Sequence, residues 1–147
     1  MRKVSLSSQT ENPNFIGSWI IEPDSICDDI IHYFESNEKR QAPGLTGQAV
    51  DTNRKNSIDI SVSPNEILLP ENRIFNVYFQ SLFSCYTDYL AQWPFLEIFP
   101  EELHIGRFKI QRYQSGQHFQ KVHTERANLA TLHRLFAWMT YLNDVDN

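Results

Sequence analysis

The stretch that decides the fold lies at residues 113–146, which read YQSGQHFQKVHTERANLATLHRLFAWMTYLNDVD. It follows an alternating segment, Ile105–Tyr113, and begins with a turn signal at Gln114–Gln117 that carries Gly116. Further on, Leu132–Leu142 is a long apolar run, typical of a strand buried on both faces. The segment therefore predicts that the last third of the chain is built from β-strands.

Two helices are predicted before these strands. The first begins after Pro23, where Ser25 and Asp28 have the spacing of a capping box. Its apolar face consists of Ile26, Ile30, Ile31 and Phe34. The second spans Asn72–Trp93 and ends before Pro94. Helices first and strands afterwards predict an α+β fold.

The remaining segments complete the expected organisation. Residues 1–14 are polar and are interpreted as a flexible arm, and residues 15–147 as a single domain. The aromatic stretch Phe15–Ile21 predicts a short strand. The alternation in Ser57–Val62 predicts a half-buried strand inside the polar segment 35–63. Such a segment is either a substrate-facing loop or ordinary surface, and the pattern leaves both open.

The composition indicates a folded domain and argues against some classes of partner. The 147 residues are 41% hydrophobic and 13% aromatic, which is typical of a folded domain. A net charge of −5 argues against partners such as nucleic acid or an anionic membrane. No apolar stretch has the length of a membrane span, and residues 1–14 lack the apolar core of a secretory signal. Cys27 and Cys85 are expected to be buried thiols, so we expect a cytoplasmic protein.

His123 and Glu125 are the candidate metal ligands. On an extended strand, residues two apart point to the same face, so an imidazole and a carboxylate can converge on one cation. Two histidines and one carboxylate on one face of iron(II) leave three positions open for co-substrate and dioxygen. The tripeptide alone is a weak signal, and its surroundings decide the interpretation.

Those surroundings resemble the prolyl 4-hydroxylase-like branch of the iron(II)- and 2-oxoglutarate-dependent dioxygenases. The shared elements, in order, are Tyr113, Gly116, Phe119, His123-Thr124-Glu125, Arg134 and Tyr141-Leu142-Asn143-Asp144-Val145. The resemblance covers about a quarter of the chain. It implies a jelly-roll or double-stranded β-helix packed against the N-terminal helices.

The resemblance also implies roles for individual residues. His123 and Glu125 would be the first two iron ligands. Tyr141 would hydrogen-bond the distal carboxylate of 2-oxoglutarate, and Tyr113 would line the co-substrate pocket. Arg134 would open the apolar strand in a packing or loop-anchoring role. A core tyrosine in a buried strand is the alternative for Tyr141.

The implied chemistry is hydroxylation of an unactivated C–H bond, with Fe(2+), 2-oxoglutarate and O2 required and ascorbate as reductant. 2-Oxoglutarate would be decarboxylated to succinate. The substrate would be a peptide or a small molecule, and by analogy a prolyl residue is the first expectation. The alternative is a non-catalytic binding or interaction module that keeps the scaffold without the site. Succinate production would distinguish the two.

The sequence departs from the family pattern in two places. Glu125 stands where aspartate is more common, which we interpret as a mark of a subfamily. The pattern's second histidine and the basic partner of 2-oxoglutarate have no counterpart before Asn147, so the chain is expected to be a fragment without the C-terminal half of the β-helix. We expect it to bind iron weakly and to turn over little. The other histidines are interpreted as surface or hydrogen-bonded residues: His32, His104, His118 and His133.

Overall fold

The computed structural model describes residues 1–4, 15–98 and 104–144. This part of the chain contains two α-helices, α1 (Ser25–Ser36) and α2 (Arg73–Gln92). It also contains seven short strands: β1 (Arg2–Lys3), β2 (Trp19–Ile20), β3 (Ala42–Pro43), β4 (Leu45–Thr46), β5 (Ala49–Val50), β6 (Ile58–Val62) and β7 (Phe108–Arg112). Helix and sheet are mixed, in agreement with the predicted α+β class. Neither helix is long and apolar enough to cross a membrane.

The strands form three small sheets among the described residues. Strands β1 and β2 pair antiparallel, and β4 and β5 form a hairpin whose turn contains Gly47 at φ +68°. The largest sheet has the order β3-β6-β7, with β3 antiparallel to β6 and Ala42 opposite Asp59. No barrel closes among these residues.

The two predicted helices and two of the four predicted strands are confirmed. Helix α1 begins at Ser25, and Ile26, Ile30 and Phe34 on its apolar face are buried. Strand β6 lies within the predicted Ser57–Val62 strand. Strand β7 lies within Ile105–Tyr113, whereas the stretch Phe15–Ile21 contributes only the two residues of β2. The turn at Gln114–Gln117 closes with a hydrogen bond from Gln117 N to Gln114 O of 2.9 Å.

The chain folds as two compact units, and the first comprises Met1–Tyr33 and Val62–Phe108. The ring of Phe75 lies at its centre, 4.8 Å from the ring of Tyr33 and 5.3 Å from that of Phe108, both edge-on. The buried face of α2 runs through Phe75, Tyr78 and Cys85, whereas Val77 is exposed. Of the expected arm 1–14, residues 2 and 3 form β1, and residues 5–14 lie outside the described residues.

The second unit comprises Phe34–Ser61 and Lys109–Asn147, of which residues 145–147 are not described. Phe34, Ile60 and Ile110 are its buried apolar residues. The guanidinium of Arg112 covers the ring of Phe34 at 5.2 Å and binds both carboxylate oxygens of Glu35, at 2.9 and 3.0 Å. This contact, in which Nη1 donates to both oxygens, joins the end of β7 to the end of α1.

Strand β6 is buried on both faces, so the prediction of a half-buried strand is wrong. Ile60 and Val62 are completely buried on one face, while Ser57 and Asp59 on the other are 3% and 6% exposed. The polar face is covered because Gly44 packs directly against it. A Cβ at Gly44 would collide with the Ser57 hydroxyl and lie 2.9 Å from Lys55 Cε.

The predicted buried strand Leu132–Leu142 is not formed. This run is irregular and belongs to none of the sheets among the described residues. Several of its large side chains are exposed, including Met139 at 76% and Tyr141 at 80%. A strand requires the backbone of a neighbouring strand, and apolar composition cannot replace those hydrogen bonds.

We expect Gly44→Ala to destabilise the protein by about 1–3 kcal/mol, because the added methyl group overpacks the contact with Ser57 and Lys55. Urea unfolding followed by circular dichroism measures the loss. Gly106→Ala is the matched control, since a Cβ there meets no atom within 4 Å, and we expect a change within about 0.5 kcal/mol. Equal effects of the two substitutions would contradict this account of the packing.

Candidate functional site

His123 and Glu125 lie on an exposed turn and not on the strand that the sequence predicts. Their side chains nevertheless meet, with Nε2 of His123 3.4 Å from Oε1 of Glu125. The two side chains are 44% and 48% exposed. The turn therefore achieves the convergence that was expected from strand geometry, and it leaves both groups open to solvent.

The imidazole of His123 is held from two other directions. Its Nδ1 lies 3.0 Å from the carbonyl oxygen of Lys121. Since a carbonyl oxygen only accepts hydrogen bonds, Nδ1 carries the proton, and in the neutral ring Nε2 then keeps its lone pair towards Glu125. The ring of Phe119 packs against the imidazole with 4.9 Å between centroids. Backbone and aromatic contacts thus fix both the tautomer and the orientation of the ring.

The carboxylate of Glu125 is shared between two partners. Oε1 faces His123, while Oε2 accepts a hydrogen bond of 2.7 Å from Nη1 of Arg134. The predicted anchoring role of Arg134 corresponds to this contact, which joins the turn to the following segment. An exposed ion pair of this kind contributes only about 0.2–1 kcal/mol to stability. Its main effect is to orient the carboxylate.

The two tyrosines have different surroundings. Tyr113 follows β7, and its hydroxyl donates to Oε1 of Gln111 at 3.2 Å. Partial burial raises the pKa of the Tyr113 phenol, the charge of Asp59 raises it further, and a hydrogen bond with Ser57 opposes both effects. Tyr141 lies in the irregular segment and is 80% exposed. The predicted role of Tyr141 would require it to turn towards a co-substrate that is not part of this structure.

No group of three or more histidine, cysteine, aspartate or glutamate side chains that could hold a metal occurs among the described residues. His123 and Glu125 are therefore a pair. Both cysteines are free thiols, with Cys85 buried and Cys27 half-buried. Burial raises the pKa of both thiols, so they stay protonated at neutral pH and are poor metal ligands and nucleophiles.

A buried polar cluster around Asp59 of β6 was not expected from the sequence. Lys55 Nζ binds Asp59 Oδ2 at 2.7 Å, with only 3% and 6% of the two side chains exposed. Ser57 donates to Oδ1 of the same carboxylate at 2.7 Å, and Lys109 Nζ approaches Oδ2 at 3.3 Å. The signal in the sequence was slight, a lysine four residues before an aspartate on the polar face of the alternating strand.

Phe119 connects this buried cluster with the candidate metal ligands. Lys55 Nζ lies 5.7 Å from the centre of the Phe119 ring, a cation–π distance, and the same ring packs against His123. Backbone hydrogen bonds from Asn56 N to His118 O and from Gln120 N to Arg54 O hold the two segments together, at 2.7 and 2.9 Å. Phe119 is therefore the common neighbour of the buried ion pair and the exposed turn.

We expect Lys55→Met to lower the free energy of unfolding by about 3 kcal/mol, because it leaves the Asp59 carboxylate buried without its nearest cation. Chemical denaturation measures the loss. Arg54→Met is the matched control, since Arg54 makes only an exposed ion pair with Asp51, and we expect at most about 1 kcal/mol. Similar losses in both variants would show that the buried pair has no special energetic role.

The raised pKa of Tyr113 has a consequence at high pH. Its ordinary value is 10.0, and the unfolded chain releases this proton at a lower pH than the folded protein. The contribution to stability is therefore complete below pH 10 and is lost as the pH rises through the folded-state value. We expect Tyr113→Phe to remove this part of the decline, measured by urea unfolding between pH 9 and 11. Parallel curves for the two proteins above pH 10 would refute the assignment.

Comparison with protein-family models, curated proteins and solved structures finds no match to this chain. Function is therefore inferred from the side chains themselves.

Proposed function

We propose that the protein is an iron(II)- and 2-oxoglutarate-dependent oxygenase in which this chain supplies His123 and Glu125 as two of the metal ligands. The observation that carries the proposal is the 3.4 Å approach of His123 Nε2 to Glu125 Oε1. The remaining polar atoms of both side chains are already engaged, Nδ1 by the carbonyl of Lys121 and Oε2 by Arg134. Each side chain thus presents one donor atom to the same place.

The two donors suit a divalent metal in type and in spacing. Imidazole nitrogen and carboxylate oxygen are the donors of non-haem iron(II) sites. Neighbouring ligands about 2.1 Å from an ion lie about 3 Å apart, close to the separation seen here. Histidine ligands also typically donate their other ring N–H to a carbonyl or carboxylate, as His123 does to Lys121. The pair fits the metal as part of a set that a further ligand would complete.

In this proposal the chain's residues bind and orient, and the metal with dioxygen supplies the oxidising power when 2-oxoglutarate is decarboxylated to succinate. His123 and Glu125 hold the metal, and Arg134 and Phe119 fix their orientation. Tyr141 and Tyr113 would contact 2-oxoglutarate. Ascorbate would serve as reductant, and a prolyl peptide is the first substrate to test.

In this proposal the β3-β6-β7 sheet would be part of a jelly-roll or double-stranded β-helix.

The experiment is titration of the isotopically labelled chain with Mn²⁺, a paramagnetic substitute for iron(II). We expect selective broadening of the backbone amide signals of residues 121–126. His123→Ala should weaken binding about tenfold or more, since it removes one of two ligands. His133→Ala, an exposed histidine in the same part of the chain, is the matched control and should bind as the wild type does. Equal broadening in the wild type and in His123→Ala would overturn the proposal.

A non-catalytic binding module is the second candidate, favoured by the lack of a three-ligand group among the described residues. Repeating the Mn²⁺ titration with 2-oxoglutarate separates the two. An oxygenase site gains metal affinity because the co-substrate chelates the same ion, whereas a binding module does not. We expect little succinate release from this chain with iron(II), because only two ligands are paired. Rapid, metal-dependent release would contradict that two-ligand account.

A further inference from the structure

We propose that a cleft beside the buried ion pair binds the carboxylate group of a small organic acid. The cleft has a volume of about 240 Å³ and lies in the second unit. Its polar wall is formed by Arg40, Asp59, Ser61 and Lys109, and its apolar wall by Ala42, Pro43 and Leu45. The site is separate from the candidate metal pair, and the proposal does not depend on the oxygenase assignment.

The charges around the cleft do not balance. Asp59 is a single carboxylate, yet both Lys55 and Lys109 approach its Oδ2, at 2.7 and 3.3 Å. Lys55 is the closer and is fully buried, so it neutralises Asp59 most directly. Lys109 keeps a longer contact and is 36% exposed on the cleft side. Two ammonium groups therefore approach one carboxylate, and the more exposed of them, that of Lys109, lines the cleft.

The geometry of Arg40 and Asp59 is fixed before any ligand arrives. Arg40 Nη2 donates to the carbonyl oxygen of Ser61 at 3.0 Å, which holds the guanidinium at the edge of the sheet. Asp59 is held by Lys55 and Ser57, and the backbone of Gly44 lies so close that a Cβ there would be 3.2 Å from Oδ1. Because these groups are already placed, an incoming anion would lose little free energy in ordering them.

The volume and the lining of the cleft indicate the class of ligand that it would bind. Pockets for drug-sized ligands usually have volumes of about 300–1,000 Å³, so this cleft suits a smaller molecule. A carboxylate would accept charge-assisted hydrogen bonds from Lys109, and the guanidinium of Arg40 would add to the attraction. The apolar wall of Ala42, Pro43 and Leu45 would cover a short hydrocarbon body. An inorganic anion would satisfy the cations and leave that wall without a partner.

Butyrate and butyramide are the probes, because they share a shape and differ in charge. We titrate each into the labelled full chain in EDTA, which removes metal and makes the outcome independent of the oxygenase proposal. Butyrate should shift the amide signals of Ala42 and Ser61 saturably, and butyramide should not. This comparison uses only the wild-type protein. Equal shifts by the two compounds would overturn the proposal.

Variants and inorganic phosphate complete the test. We expect Lys109→Gln to weaken butyrate binding about tenfold or more, because it removes the exposed cation of the cleft. Lys39→Gln makes the same change of charge beside Arg40 but outside the cleft lining, and should bind as the wild type does. Unchanged binding by Lys109→Gln, or an equal loss in both variants, would overturn the assignment. Phosphate binding without butyrate binding would overturn the choice of an organic acid.

Discussion

The second unit depends on the ion pair between Lys55 and Asp59. Removing two charges from water costs several kcal/mol for each ion, and the pair is retained only when geometry and extra hydrogen bonds compensate. Here the contact is 2.7 Å long, Ser57 occupies the other carboxylate oxygen, and Lys109 adds a second cation. The residue at position 44 must be glycine because its backbone lies against these side chains. The Asp59 carboxylate and its partners thus constrain how β6 packs against the segment that carries β3 and β4.

The ion pair also influences the candidate site, through Phe119. This ring lies over the ammonium of Lys55 on one side and against the imidazole of His123 on the other. An isolated β-bridge pairs Lys55 with Phe119 in the backbone as well. Although His123 and Glu125 are exposed, the segment that carries them begins at Phe119, which contacts the buried Lys55. An exposed turn can therefore hold two side chains in a definite arrangement, as a preorganised metal site requires.

Much of the fold could be predicted from the sequence because its signals are local. The start of α1 after Pro23, the helical spacing in α2 and the glycine turn at Gly116 each depend on residues a few positions apart. The buried Asp59 depends on non-local contacts, since it follows a surface-like alternation and is covered only when Gly44 packs on it. Leu132–Leu142 failed as a strand for a related reason, because composition describes a preference whereas a strand also requires a neighbour.

In the candidate site, too, the local contact could be predicted from the sequence, whereas the contacts that depend on the fold could not. The spacing of His123 and Glu125 predicted that the two side chains would meet, and they do, although on a turn. The sequence alone did not reveal the carbonyl of Lys121 as the partner of Nδ1, because that contact depends on how the turn bends. Arg134 was expected to anchor a loop through the family resemblance, and its partner emerged only with the fold.

The distribution of charge links the two proposed sites. The chain as a whole carries a net charge of −5, so long-range attraction would not guide an anion towards it. Selectivity for an organic acid would instead arise within a few ångströms, where Lys55 and Lys109 both approach Asp59. Lys55 contacts both Asp59 and Phe119. A ligand that drew Lys109 away from Asp59 would therefore strengthen the electrostatic attraction between the Asp59 carboxylate and Lys55. The position of the Phe119 ring, and with it the imidazole of His123, would then respond to occupation of the cleft.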